Sequence, residues 1–226
     1  MATKQLILGY WAIRGRAGVL RNLLDYCQVP FENYVYEEKE EWFKVDKEQL
    51  DFKYPNIPYI IDNGKMITET LALLHYIPIK GGKKELLGFH DDRHSDILES
   101  IGVGIDLRYE LRKLVATKGD FEAEKEAFFT SDDSKGRTKL HQFDRVLKDR
   151  EWLVKDISIA DFYLFELVDL IHEMDSARLT NLPHLLSFRH RFMELPQVKA
   201  HRSSDNFIPV WFRPGITTWN NADKIW

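Results

Sequence analysis

The side chains able to do chemistry fall mainly in two short stretches of the first seventy residues. Tyr10 ends a run of alternating apolar residues and is followed by Trp11-Ala12-Ile13-Arg14-Gly15. A phenol with an ordinary pKa of about 10 stays protonated at neutral pH, so it can donate a hydrogen bond and favour a charged acceptor. Taken alone, Tyr10 serves equally well as a core aromatic at a strand end. Glu69 and Thr70 open a helical pattern that continues through Leu71, Leu74 and Ile77. Helix N-terminal amides and the Thr70 hydroxyl suit a carboxylate, while the Glu69 carboxylate suits a neighbouring ammonium. Together they fit a free amino acid, although an ordinary cap with an acid favoured by the helix dipole accounts for the same pair. His90 and His94, four apart at a polar helix start, read as solvated surface, and no metal site is expected. Cys27 is the single cysteine. It excludes an intramolecular disulfide framework, suits a reducing compartment, and reads as a small buried hydrophobe rather than a nucleophile.

The elements that must position these residues follow from periodicity. Leu6, Leu8 and Tyr10 share one side of an extended segment, and Val19, Leu20, Leu23, Leu24 and Cys27 share one face of a helix. Pro30 to Tyr36 alternates as a second strand, giving a beta-alpha-beta unit. The acidic run Glu37, Glu38, Glu40, Glu41 reads as a solvated connection. Asp62-Asn63-Gly64-Lys65 is a hairpin turn, because Asn-Gly supplies positive φ, and Met66-Ile67 returns as a fourth strand. Pro78 is expected to stop the following helix, with 79–84 as a linker and a domain boundary near Lys84.

From Asp92 the pattern is helical. Ile97, Ile101, Ile105 and Val115 mark a long amphipathic helix. Ser158-Ile159-Ala160-Asp161 reads as a capping box, followed by Leu164, Phe165, Val168 and Ile171 as the centre of a second core. Pro183 starts another helix, containing Leu185, Leu186, Phe188 and Phe192. His184, Arg189, His190 and Arg191 read as a solvated basic face, too short to argue for RNA. The aromatic tail from Asn206 is interrupted by Pro209 and Pro214, with Trp219 and Trp226 expected to pack on the helical core.

Composition sets the outer bounds. The 226 residues can form one large domain or two small ones, and 44% hydrophobic with 30% charged residues places the chain in the ordinary soluble class. A formal charge of -4 gives no reason to expect nucleic acid. No apolar run approaches bilayer-spanning length, and the start MATKQLIL lacks the apolar region of a secretory signal, so a cytoplasmic protein without a membrane partner is expected.

Three motifs carry a family resemblance: ILGYW with a following IRG and RxLLxY, then PNIPYIID, then Glu69-Thr70. Together they resemble the cytosolic glutathione transferases, most closely the mu class. The resemblance covers essentially the whole chain, strongest from Leu6 to Ile77 and weaker after Asp175. It implies a thioredoxin-like alpha/beta domain over 1–84 that binds glutathione and an all-helical domain over 85–226 that carries an electrophile pocket. The implied activity is attack of the glutathione thiolate on hydrophobic electrophiles, a detoxifying role. Glutathione is then a co-substrate, and no metal or other cofactor is needed. A non-catalytic ligand carrier of the same fold, or a glutathione-dependent isomerase of the prostaglandin synthase type, shares the same thiol site.

Carried over residue by residue, the resemblance makes Tyr10 the donor that stabilises the thiolate. It gives glutathione binding to Tyr10, Trp11, Trp42, Lys47, Asn56, Ile57, Pro58, Glu69 and Thr70, and raises the expectation of a cis bond at Ile57-Pro58. Asp106 is implied to cross to the glutathione of a partner subunit. The spacing after Trp42 is one residue longer than the family's usual spacing, so Lys44 competes with Lys47 for the glycine carboxylate. The implied electrophile pocket takes Ile13, Ile105, Arg108, Tyr109, Ala116 and Trp211, with Phe212 as a further candidate wall. Ala116 stands where mu enzymes usually carry a second tyrosine, and Glu-Thr at 69–70 replaces their Gln-Ser. A homodimer is implied, with Tyr54 as the aromatic key inserted into the partner and His75 in place of an interface arginine.

Overall fold

A computed structural model describes residues 5–89, 92–213 and 215–219. The expectations for His90, Asp91, Pro214 and Trp226 lie outside the described residues. The chain separates into two compact units, Met1–Lys84 with Pro196–Val210, and Glu85–Leu195 with Trp211–Trp226.

The first unit is built on strands β1 (Leu6–Trp11), β2 (Phe31–Tyr36), β3 (Tyr59–Asp62) and β4 (Lys65–Thr68). They form one sheet in the order β2-β1-β3-β4, with β1 and β2 parallel and the β1-β3 and β3-β4 pairs antiparallel. Helix α1 (Gly18–Tyr26) makes the crossover from β1 to β2. It packs with α3 (Thr70–Lys80), and their Leu20, Leu23, Leu24, Leu73, Leu74 and Ile77 are buried together with the strand residues Leu6, Leu8 and Ile60. Strand alternation sends Ile7, Trp11, Tyr36, Tyr59 and Ile61 into a second, aromatic cluster with Trp42 and Phe52. The β3-β4 turn has positive φ at Asn63 and Gly64, which an Asn-Gly pair tolerates at little cost.

Several local expectations are corrected. Pro78 does not stop α3, which runs on to Lys80. The proline removes one N–H from the last turn, and the end is closed by the amides of Gly81, Gly82 and Lys83, which donate to the carbonyls of Ile77, Ile79 and Pro78. The acidic run is not wholly a connection either. It ends in a six-residue π-helix, Glu41–Asp46, continued by the short α2 (Lys47–Gln49). A π turn is wider than an α turn, and this one carries Trp42 and Lys44. The segment 85–226 does not stay in one piece: α9 (Pro196–Arg202) packs on α1 in the sheet-bearing unit, where the His201 imidazole meets Asp25 at 2.7 Å.

The second unit holds α4 (His94–Val115), α5 (Phe121–Thr130), α6 (Lys135–Val146), α7 (Ile159–Asp175) and α8 (Pro183–Met193). Helix α7 is buried almost throughout and packs on α4 and α8. The thioredoxin-like domain with a helical partner domain is therefore the architecture observed. Two side chains depart from their sequence reading. Ile97 and Ile101 of α4 are buried, but Ile105 is 45% exposed, and Gly104, Leu107, Leu111 and Leu114 continue the inner face instead. Arg189 leaves the solvated face of α8 to pair with the fully buried Asp169, its Nη2 2.7 Å from Oδ1.

Candidate functional site

Tyr10 stands one residue before the end of β1 and is 6% exposed. Its hydroxyl accepts the Arg16 N–H at 3.1 Å, which leaves the phenolic proton to donate elsewhere. Gly15, at φ +43°, makes this possible: a Cβ there would lie 2.8 Å from both the Tyr10 hydroxyl and its ring edge. The loop between them is tied from beneath by Arg21 of α1, which is 1% exposed. Its guanidinium donates to the carbonyls of Ile13 (2.7 Å) and Trp11 (3.2 Å) and to the Asn33 side chain on β2 (2.9 Å). Sequence reasoning had no role for Arg21. The available signal was a charged residue inside a helix whose neighbours Leu20, Leu23 and Leu24 are apolar.

The second part of the site joins the turn before β3 to the start of α3. The Ile57-Pro58 bond is cis. The Asn56 side chain bridges the two segments: its Oδ1 accepts the Ile57 N–H at 2.9 Å and its Nδ2 donates to Glu69 Oε1 at 2.8 Å. Glu69 is exposed, stands at the N-cap of α3, and has φ 71° and ψ 118°, a region costly for any residue with a side chain. Such strain persists where the surroundings overdetermine it, and here the Glu69 carboxylate is held by the Asn56 amide rather than by a cap bond to the helix. Thr70, half-buried, is the first residue of that helix. Thr68 secures the same corner by donating its hydroxyl to the Tyr54 carbonyl at 2.9 Å.

The third part is the π-wound segment. Trp42 is 2% exposed, stacked on Tyr59 and edge-on to Tyr36. Lys44 and Lys47 are both exposed, Lys47 with its ammonium 5.7 Å from the Phe43 ring centre. Trp11 is half-buried and meets Tyr36 and Phe43 with its ring, while Ile13 packs against the same aromatic cluster. Burial pushes the Tyr59 phenol up to about 12 and, helped by the bond to Asp46, raises the Tyr36 phenol further, so both remain hydrogen-bond donors.

The strand-end tyrosine, the acid at a helix N-terminus and the cis-proline turn are thus the three features that the sequence motifs single out. The glutathione S-transferase N-terminal domain model matches residues 7–78, and the glutathione S-transferase C-terminal domain model matches residues 105–205. The chain is 31% identical over 220 residues to the class-mu 26 kDa isozyme of Schistosoma japonicum, covering 96% of this chain and 97% of that one. This chain belongs to the glutathione S-transferase family. It is also 30% identical to glutathione S-transferase Mu 4 of Homo sapiens over 226 residues, 96% of this chain and 99% of the relative. Among solved structures, the Onchocerca volvulus Pi-class glutathione S-transferase superposes with a TM-score of 0.74 at 24% identity, covering 88% of this chain and 92% of that one. Prostaglandin synthase D of Nilaparvata lugens gives the same score at 21% identity, over 88% and 98% of the two chains. These two likenesses concern the fold.

The remaining family positions lie in the helical unit. Arg108 is half-buried on α4, Ile105 and Tyr109 are exposed there, Ala116 caps its C-terminus, and Trp211 is buried. Asp106 is exposed and paired with Lys139 at 2.9 Å. Among the described residues no group of three or more His, Cys, Asp or Glu side chains is placed to hold a metal, and no helix is long and apolar enough to cross a membrane.

Proposed function

We propose that this family member conjugates glutathione to hydrophobic electrophiles, acting in detoxification as a cytoplasmic homodimer, with glutathione as co-substrate and no resident cofactor. The observation that carries this reading is the Tyr10 hydroxyl: buried, used among the described residues as an acceptor toward Arg16, and uncrowded because position 15 has no side chain. Only the thiolate of glutathione is a good nucleophile at neutral pH. A phenol proton pointed at the sulfur stabilises that anion and the charge redistributed in the transition state. The thiol proton passes to solvent. The sulfur pair then forms the carbon-sulfur bond, and the displaced electrons leave with the departing group or move into the acceptor conjugated with that carbon.

The rest of the peptide is read by charge. Glu69 takes the γ-glutamyl ammonium, while the Thr70 hydroxyl and the first amides of α3 take its carboxylate. The backbone of Ile57 beside Pro58 pairs with the cysteinyl unit as an added strand, exchanging its bond to Asn56 for one to the ligand. Lys47 or Lys44 supplies the cation for the glycine carboxylate, and Trp11 and Trp42 build the wall from which the lysines project. Arg108, Tyr109, Ile105, Ile13, Ala116 and Trp211 are assigned to the electrophile. With alanine at 116, assistance to epoxide opening is weaker than in a mu enzyme carrying tyrosine there. Asp106 serves the partner's glutathione in this scheme and must exchange Lys139 to do so.

The test is the ultraviolet absorbance of the thiolate in the glutathione complex, titrated against pH. Wild type is expected to ionise bound glutathione below the pH of the free thiol. Tyr10→Phe is expected to raise that pKa by about one to two units, each worth about 1.4 kcal/mol. A bound thiol that titrates like free glutathione in wild type would overturn the reading.

A further inference from the structure

We infer that the hydrogen bond from Tyr36 to Asp46 is a latch that holds the π-wound segment Glu41–Asp46 on the sheet and so sets the affinity for the glycine end of glutathione. This rests on the glutathione reading above. Trp42, Lys44 and Lys47, the side chains assigned to that end of the ligand, all project from this segment and the turn that continues it. A single π turn is rarely stable by its own hydrogen bonds and needs tertiary support. Its outer face gives little: Phe43 and Val45 are exposed, as are both lysines.

Support comes from the inner face. Tyr36 is 1% exposed and donates its hydroxyl proton to Asp46 Oδ2 at 2.6 Å, the length of a charge-assisted bond. The Tyr36 hydroxyl oxygen itself lies 2.9 Å from the Tyr59 hydroxyl. Because the Tyr36 proton is committed to Asp46, Tyr59 must donate to Tyr36, giving a relay from β3 through β2 to the last residue of the π-helix. Gly9 lets Tyr59 reach across the sheet, since a Cβ there would sit 2.1 Å from the Tyr59 ring. Asp46 also fixes the chain beyond it, its carbonyl accepting the Leu50 N–H at 2.9 Å. Tyr36 is thus a positioning residue that touches no ligand atom itself.

The experiment compares full-length wild type with Tyr36→Phe, Asp46→Ala and Asp46→Asn. Glutathione affinity is read by tryptophan fluorescence, thiol ionisation by thiolate absorbance at saturating glutathione, and amide hydrogen exchange without ligand. Tyr36→Phe and Asp46→Ala are expected to weaken glutathione binding about 10-fold, the loss of one charge-assisted bond. Both should speed exchange across 41–49 while the amides of β3 and β4 exchange as in wild type. The pKa of bound thiol should stay where it is, because Tyr10 lies outside the relay. Asp46→Asn keeps an acceptor for Tyr36 and should stay within about threefold of wild type. Unchanged exchange over 41–49, or unchanged affinity in both disruptive variants, overturns the latch. A shift in thiol pKa equal to the loss of affinity also overturns it, by showing damage to the whole site. If wild type binds no glutathione, the affinity role fails with the glutathione reading, while the exchange comparison still reports on the Tyr36-Asp46 bond. If Tyr36→Phe does not fold, Asp46→Ala, at a half-buried position, carries the same comparison.

Discussion

At the scale of single residues, the site depends on one buried cation as much as on its tyrosine. Arg21 satisfies two loop carbonyls and Asn33 from inside α1, and removing its charge takes a charged donor from the Ile13 carbonyl and the Asn33 side chain, while the Trp11 carbonyl keeps the Ile13 N–H at 2.7 Å. Arg21→Leu is expected to cost about 3 kcal/mol of stability in urea unfolding, and to loosen the Trp11–Ile13 loop beside Tyr10. A variant with wild-type stability would show that the loop holds itself. Tyr10, Glu69 and Thr70 could be picked out from the sequence because each sits beside a local marker: a strand end, a glycine, a helix start. Arg21 and Tyr36 could not. Their partners are 8 to 12 residues distant, outside their own helix or strand, and the way α1 packs behind the β1 loop and the π-helix folds back on β2 brings them together.

At the scale of elements, the capping box of α7 is the local rule that served best. Ser158 and Asp161 cap reciprocally, the Ser158 N–H donating to Asp161 Oδ2 at 2.8 Å. The fold adds something the motif does not contain, because Asp161 Oδ1 also accepts the Leu153 N–H at 2.9 Å and so ties the preceding loop to the helix. Burial pushes the Asp161 carboxyl up to about 6 despite these donors, which pull the other way. An acid whose folded pKa lies above its unfolded value binds its proton more tightly when folded. Its contribution is therefore greatest below about pH 4 and is lost as pH rises toward 6, a span on the order of 3 kcal/mol. Asp161→Asn carries no titrating proton. The stability difference between wild type and Asp161→Asn, measured by urea unfolding at pH 4 and pH 7, should change by that order, with wild type relatively better at pH 4. A difference independent of pH would mean that Asp161 titrates normally. The expectations for Pro78 and Ile105 failed at this same scale. Helix ends and helix faces depend on what packs beside them, and propensity does not see that.

At the scale of the whole molecule, the proposed homodimer rests on a large aromatic side chain that is exposed among the described residues. Tyr54 is 65% exposed on the turn before β3, with the Lys53 ammonium 5.2 Å from its ring centre. A large aromatic held out from the surface suits an interface anchor. Tyr54→Ala is expected to weaken self-association by about 30-fold or more, roughly 2 kcal/mol, seen in sedimentation velocity as a shift toward monomer at micromolar protein. If wild type is itself monomeric across that range, or the variant associates as wild type does, the key has another use.

The sequence by itself determined the sheet-then-helix order, the Asn-Gly hairpin, the α7 capping box and the family, because each is written in contiguous residues whose spacing carries a local physical preference. Only the tertiary structure decided that the chain returns through α9 to pack on α1, that Arg189 is buried against Asp169, and that the segment holding Trp42 winds as a π turn. It alone brought Tyr36 to Asp46 and Arg21 to the carbonyls behind Tyr10. These are contacts between distant positions, each satisfying a buried polar group. The free energy that selects them arises when water is excluded by the packed elements around them, a condition no local stretch of residues contains.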